Sequence, residues 1–180
     1  MKNFLLWVFL SLAFITTGCN QASPQKYFDM AILNSNLMAD FAGNGLLRQL
    51  EAPSSKLSES GAVVSMSRTE LIENRIGFIE ENFEKVKNLP VTEETKDMVN
   101  ASIALYEFVL PVYKNEYRDL AKLYDGNASQ DQIQINAQTI HDKYAARFGE
   151  LHSRLMTLGK PYAERNNILV NWDVKTSPSF

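Results

Sequence analysis

The sequence predicts an all-α fold, an antiparallel up-down-up-down four-helix bundle with a short extended C-terminal segment. Three observations carry that prediction. Apolar residues recur at steps of three and four through four separate stretches, the spacing of one helix face. Turn and stop residues divide the stretches: Pro53 and Gly61 after the first, Pro90 after the second, Asp125-Gly126-Asn127 after the third. Links of about two to ten residues between helices of about 25 to 30 residues then leave antiparallel neighbours as the packing, in a body about 40 Å long.

The first stretch runs from Tyr27 to Leu50, with Tyr27, Met30, Leu33, Leu37 and Phe41 at helical spacing. Gly43-Asn44-Gly45 interrupts it. Glycine costs about 1 kcal/mol inside a helix, so the helix is expected to end or bend there before Leu46, Leu47 and Leu50 add a turn. Ala52 to Gly61, with Pro53, several serines and a glycine, reads as a loop.

The second stretch, Val63 to Leu89, places Ile72, Ile76, Ile79, Phe83 and Val86 on a heptad seam. Glu81 and Lys85 stand four apart on its outer surface in the favourable order, and Pro90 stops it. Thr92 then reads as the N-cap of the third helix, with Glu93 and Glu94 beside the positive end of its dipole. Val99, Ile103, Tyr106, Leu110, Tyr113, Tyr117, Leu120 and Tyr124 repeat the four-three step along it, and Pro111, lying inside the pattern, predicts a kink.

Ser129 and Gln132 form a capping box for the fourth helix, whose stripe is Ile133, Ala137, Ile140, Tyr144, Phe148, Leu151, Leu155 and Leu158. Gly159 and Pro161 read as its stop. Beyond them Ile168, Val170, Trp172 and Val174 alternate as an extended piece does, expected to lie along the bundle with Trp172 over an end or groove, ahead of a loose tail, 175–180.

The third seam is unusual in carrying four tyrosines, Tyr106, Tyr113, Tyr117 and Tyr124. Buried phenols require hydrogen-bond partners. Asn34 in the first stripe and His141 beside Ile140 are candidates, so these six residues mark a possible internal cleft for a small or amphipathic ligand, against the alternative of an aromatic core with its hydroxyls at the margins.

Other chemistry is poorly served. His141 and His152 are the only histidines, eleven positions and therefore ~16 Å apart on one helix, too far to share a metal. No Glu-x-x-His pair, His-Glu-x-x-His, phosphate loop or nucleophile elbow occurs, and the methionines are scattered rather than clustered as copper ligands would be. The sequence thus gives no catalytic residue, no metal site and no cofactor.

At the N-terminus, Lys2, an apolar run from Phe4 to Ile15 and small residues before a cut form the pattern of a secretory signal, too short to span a bilayer. Thr16-Thr17-Gly18-Cys19 resembles the bacterial lipobox, with Gly18 in the position before the lipidated cysteine. That resemblance implies removal of 1–18 and acylation of Cys19; the polar run then reads as a tether over 19–26, ahead of the helical body over 27–174. Cys19 is the sole cysteine, so an exported chain has no disulfide partner for it. Asn20 after the cysteine implies the periplasmic face of the outer membrane.

Loss of Lys2 with the signal leaves 17 basic and 21 acidic residues, a net charge of −4 that disfavours nucleic acid as a partner. The run Asn115-Glu116-Tyr117 and the ending Tyr162-Ala163-Glu164-Arg165-Asn166-Asn167 resemble a group of poorly characterised helical lipoproteins of Gram-negative bacteria. The resemblance covers the last two helices and implies no catalytic residue. The expectation is a non-catalytic envelope lipoprotein acting through a protein partner, as a structural, inhibitor or immunity protein. The alternative is a periplasmic bundle that binds a small ligand.

Overall fold

Ser23 starts the body: its hydroxyl accepts from the Lys26 N–H at 3.2 Å and caps α1 (Pro24–Ala31), with Pro24 at the first turn, where its missing N–H costs nothing. The helix thus opens three residues before Tyr27 and takes in the end of the expected tether. The computed structural model describes residues 22–52 and 54–172; the signal segment 1–18, Cys19, Val174 and the tail 175–180 lie outside the described residues.

The structure is mostly helical, as predicted, but the first stretch is not one helix. After α1 it tightens into a 3-10 segment (Leu33–Met38), turns at residues 39–43 and resumes as α2 (Asn44–Glu51). The buried Ser35 hydroxyl donates to the Ile32 carbonyl at 2.6 Å, a local bond that competes with the α ladder. The change of pitch corrects the predicted stripe. Leu33 and Leu37 are each 39% exposed, and Met38 and Phe41 are buried instead.

The expected loop contains a hairpin. β1 (Ser54–Leu57) pairs antiparallel with β2 (Val63–Met66), from Ser54 opposite Met66 to Leu57 opposite Val63. Gly61, at φ +79°, supplies the left-handed residue that the turn needs. Val63 and Val64 suit a pleated strand better than a helix start, so α3 begins five residues later, at Arg68.

In α3 (Arg68–Lys87) Ile72, Ile76, Ile79 and Val86 are buried, the predicted seam, and Lys85 pairs with Glu81 at 2.6 Å. Ser67 caps its start from within the chain, and Asp125 caps it from afar, accepting from the Arg68 and Thr69 N–H groups at 2.8 and 2.9 Å. Burial alone would raise the Asp125 carboxyl; these hydrogen bonds outweigh it and hold the group below the usual carboxylate range. Asp125→Ala is therefore expected to cost about 1 kcal/mol at neutral pH, a typical cap loss. Because the folded carboxyl titrates below its unfolded value, the cost should be constant above about pH 5 and shrink as pH falls below about 4, which urea titrations of both proteins across pH would measure.

Thr92 and Thr95 cap one another across a turn, Thr92 N–H to Thr95 Oγ1 at 3.0 Å and Thr95 N–H to Thr92 Oγ1 at 3.2 Å. The helix proper, α4 (Lys96–Val112), starts after Thr95, so Thr92 caps the preceding turn rather than the helix. The chain passes through Pro111 and widens into a π turn (Tyr113–Tyr117) before α5 (Arg118–Asp125). Proline deprives one carbonyl of its donor, and an extra residue in the following turn accommodates the lost register. Met98, Ser102, Leu105, Val109 and Val112 are buried beside the predicted seam, of which Ile103, Leu110 and Tyr124 are only partly covered. α4 is therefore the central column, packed on two sides by α3 and α6.

Asn127, at φ +53°, closes α5 in a Schellman motif, with Ala128 N–H donating to the Leu123 carbonyl at 3.0 Å. α6 (Gln130–Arg165) has the predicted capping box in full and buries Ile133, Ala137, Ile140, Phe148, Leu151 and Leu155. It overruns the predicted stop. Gly159 and Pro161 lie inside the helix, which at 36 residues is about 54 Å long. Gly159 is a packing residue: a Cβ there would sit 2.5 Å from Ile32 Cδ1. Tyr162 and Ala163 beyond it are buried, and their burial outweighs the local stop. A second Schellman motif at Asn167 ends the helix, Ile168 N–H to the Ala163 carbonyl at 2.9 Å. Residues 168–172 form no strand; Trp172 meets Phe28 edge-on at 6.0 Å.

Candidate functional site

The turn between the 3-10 segment and α2 is pinned from two other elements. Phe41 is driven into the core, 1% exposed, among the rings of Phe108, Tyr113, Tyr117, Tyr144 and Phe148, whose centroids lie 5.0 to 6.4 Å away. To reverse the chain after it, Ala42 adopts φ +52°, a left-handed conformation that costs a non-glycine residue about 1 kcal/mol. Two side chains hold it there. The Ala42 N–H donates to the Tyr117 hydroxyl at 2.7 Å, and the Ala42 carbonyl accepts from His141 Nδ1 at 2.8 Å. A carbonyl accepts only, so the hydrogen resides on Nδ1.

Below this turn opens a groove of about 630 Å³. Ala42, Gly43 and Asn44 form one wall with Leu47 and Glu51 of α2; Gln134, Ile135, Gln138 and His141 of α6 form the other, with Tyr117 between them. Gln134, Gln138 and His141 share a face by their spacing of four and three. The lining has three amides, one histidine, one carboxylate and no lysine or arginine, so it offers neutral polar groups and a negative charge. Ile135, 66% exposed, adds an uncovered apolar side chain at the rim.

Behind the groove a polar chain continues through the body. Tyr113 stacks on Tyr117 at 4.9 Å and accepts from Arg75 at 3.3 Å; Arg75 also donates to Gln49 at 2.9 Å, and Gln49 donates to Asp40 at 3.0 Å. Burial raises the Tyr113 phenol, partly opposed by Arg75, and raises that of Tyr117. Both stay neutral and act as hydrogen-bonding supports. Asp40, Gln49 and Arg75 reach a second, smaller groove of about 360 Å³ on α3, beside Leu37 and Phe78.

Of the six residues marked in the sequence, Tyr117 and His141 come together at the groove, with Tyr113 stacked behind Tyr117. Tyr106 stacks on Phe83 of α3 at 5.4 Å, its hydroxyl buried with no hydrogen-bond partner in the structure. Asn34 pairs with Asn82 at 2.7 Å. Tyr124 is half-buried near Glu51 and Arg68, its phenol raised by burial and by Glu51. The seam thus does not form one cleft, because a column of this length points successive tyrosines toward different neighbours. His152 stacks on Phe148 at 5.6 Å, and burial holds its ring below the ordinary histidine range.

Ala42, Asn44, Glu51, Gln134 and Gln138 lie outside the six candidate positions and yet line the groove. Their signals were the interruption at Gly43-Asn44-Gly45 and the polar face that Gln134 and Gln138 share with His141. Among the described residues no group of three histidine or acidic side chains is placed to hold a metal, and no helix is long and apolar enough to cross a membrane. No known protein family, curated protein or solved structure matches the chain.

Proposed function

We propose that this chain is a non-catalytic envelope lipoprotein, anchored through an acylated Cys19 at the periplasmic face of the outer membrane, and that its body binds a small, polar, uncharged or cationic ligand in the groove under Ala42. On this reading the columns work as an up-down-up-down bundle whose first member is broken to make the site. The observation that carries the proposal is Ala42, kept in an unfavourable conformation by Tyr117 and His141 at the wall of an open groove; strain over-determined by its surroundings concentrates at functional sites. The groove's volume is within the range of small-molecule sites, about 300 to 1,000 Å³. Its amides pair with hydroxyl and amide groups, and Glu51 is the one carboxylate of a lining that holds no lysine or arginine, Arg68 lying outside it against the Glu51 carbonyl at 3.4 Å, which favours an amine over a phosphate.

A thermal-shift screen of the mature chain with neutral sugars, amino sugars, amines and phosphorylated sugars tests this. A neutral or cationic compound at 100-fold its Kd should stabilise the protein by about 2.7 kcal/mol, and Gln138→Trp, filling the groove from an exposed helix face, should abolish the shift. Preference for the phosphorylated compounds, or a shift untouched by Gln138→Trp, would refute the proposal.

A second reading, contact with an envelope protein, is favoured by one observation. The hairpin leaves Leu57 and Val63 71% and 73% exposed, and a two-stranded ribbon is marginal by itself.

A further inference from the structure

The two ends of the described chain converge on one end of the body. The Tyr162 hydroxyl donates to the Pro24 carbonyl at 3.4 Å, and the Tyr27 hydroxyl to the Pro90 carbonyl at 2.5 Å. Asn166 donates to Glu94 at 3.1 Å, and Trp172 lies against Phe28. The start of α1, the turn between α3 and α4 and the segment after α6 therefore make one surface. The hairpin and the Asp125 cap are at the other end of α3.

That surface carries uncovered apolar side chains from two separate loops. Leu169 is fully exposed, Val91 54% exposed and Trp172 37% exposed. Exposed apolar residues scattered singly mean little, but here they gather where the chain leaves the described body. Ala22 is on this surface and lines a hollow with Tyr27, Glu94 and Tyr162. Cys19 precedes Ala22 by three residues, which span at most about 11 Å fully extended.

We propose that this end is a bilayer-docking surface, with Leu169 and Trp172 set into the headgroup boundary and Val91 beside them. The inference rests on the acylation of Cys19 proposed above: an acyl anchor so close to Ala22 brings this surface, and not the hairpin end, to the lipid. Tryptophan favours the interfacial zone, where its apolar body and N–H are both accommodated. The exposed charges at this end are mixed in sign, Lys26 and Arg165 with Glu93, Glu94 and Glu164, so no basic patch calls for anionic lipid and the attachment is apolar. In this orientation His141, 24 residues before Arg165, stands about 36 Å along α6 from the docked end, which presents the groove away from the membrane.

Trp172 is the sole tryptophan once Trp7 is removed with the signal, so its fluorescence reports this surface alone. The mature chain, expressed with its signal segment in a Gram-negative host and extracted in detergent, is reconstituted with phosphatidylcholine vesicles, floated on a density gradient and its emission compared between plain vesicles and vesicles of lipid brominated near the headgroup. Docking predicts co-flotation, at least a twofold loss of Trp172 emission in brominated vesicles, and weaker quenching in a Val91→Ser, Leu169→Ser variant, whose changes are at exposed positions. Co-flotation with equal emission in the two vesicles would overturn the docking and leave the anchor standing. Failure to co-float would overturn both.

Discussion

Phe41→Ala is expected to lower the unfolding free energy by about 4 kcal/mol, the cost of truncating a fully buried phenylalanine. Phe41 is 1% exposed and touches five aromatic rings from α4, the π turn and α6, so no single neighbour can move to fill the space. The same ring anchors the turn that holds Ala42. The variant should therefore lose the groove's ligand response even at temperatures where circular dichroism shows it folded. Urea unfolding gives the first quantity, and a loss under about 1 kcal/mol would mean that the aromatic cluster collapses around the gap and that Phe41 is not its hub.

Gly159→Val carries the second large effect, a loss of about 2 kcal/mol from overpacking. The added Cβ would lie 2.5 Å from Ile32 Cδ1 and 2.9 Å from Cγ1, and Ile32 is itself buried, with little room to turn away. Valine is the better helix former, so any destabilisation is tertiary in origin. In a double-mutant cycle Ile32→Ala should cost much less in the Gly159→Val background than in the parent, because the truncation makes room for the new side chain. Additive losses would show that Gly159 is fixed by its backbone and not by the approach of Ile32.

Arg118 grips Glu73 through two hydrogen bonds at 2.5 and 2.9 Å and joins α5 to α3, but the pair is solvent-exposed and such pairs contribute little to stability. Tyr144 donates to Glu116 from α6 to the π turn, with Lys143 3.6 Å from the same carboxylate. These contacts align the columns around the aromatic cluster.

Much of this architecture was legible in the chain. The isoleucine seam of α3, the stripe and capping box of α6 and the turn at Asp125-Gly126-Asn127 depend on residues three and four apart or on single caps, and such local rules leave a direct trace in sequence. Two of the six marked residues, Tyr117 and His141, also meet at the site, and Tyr113 stacks behind Tyr117. The first stretch departs from its periodicity for an equally physical reason. Its stripe has helical spacing, but Ser35 bonding to Ile32 and the pull of Phe41 into a core built by distant helices break the ladder.

What the sequence by itself determined, then, is a mostly α-helical body with long apolar seams and defined caps, because periodicity and end chemistry act within a turn or two of the chain. What the tertiary structure alone decided is where those rules yield. α6 runs through Gly159 and Pro161 because Tyr162 and Ala163 beyond them are buried in the body, while Gly159 leaves room for Ile32, 127 positions earlier. Ala42 turns left-handed because Tyr117 and His141, 75 and 99 positions later, take up its N–H and carbonyl. Contacts at such separations outweigh local preferences of about 1 to 3 kcal/mol, and they form only when the columns are already packed together.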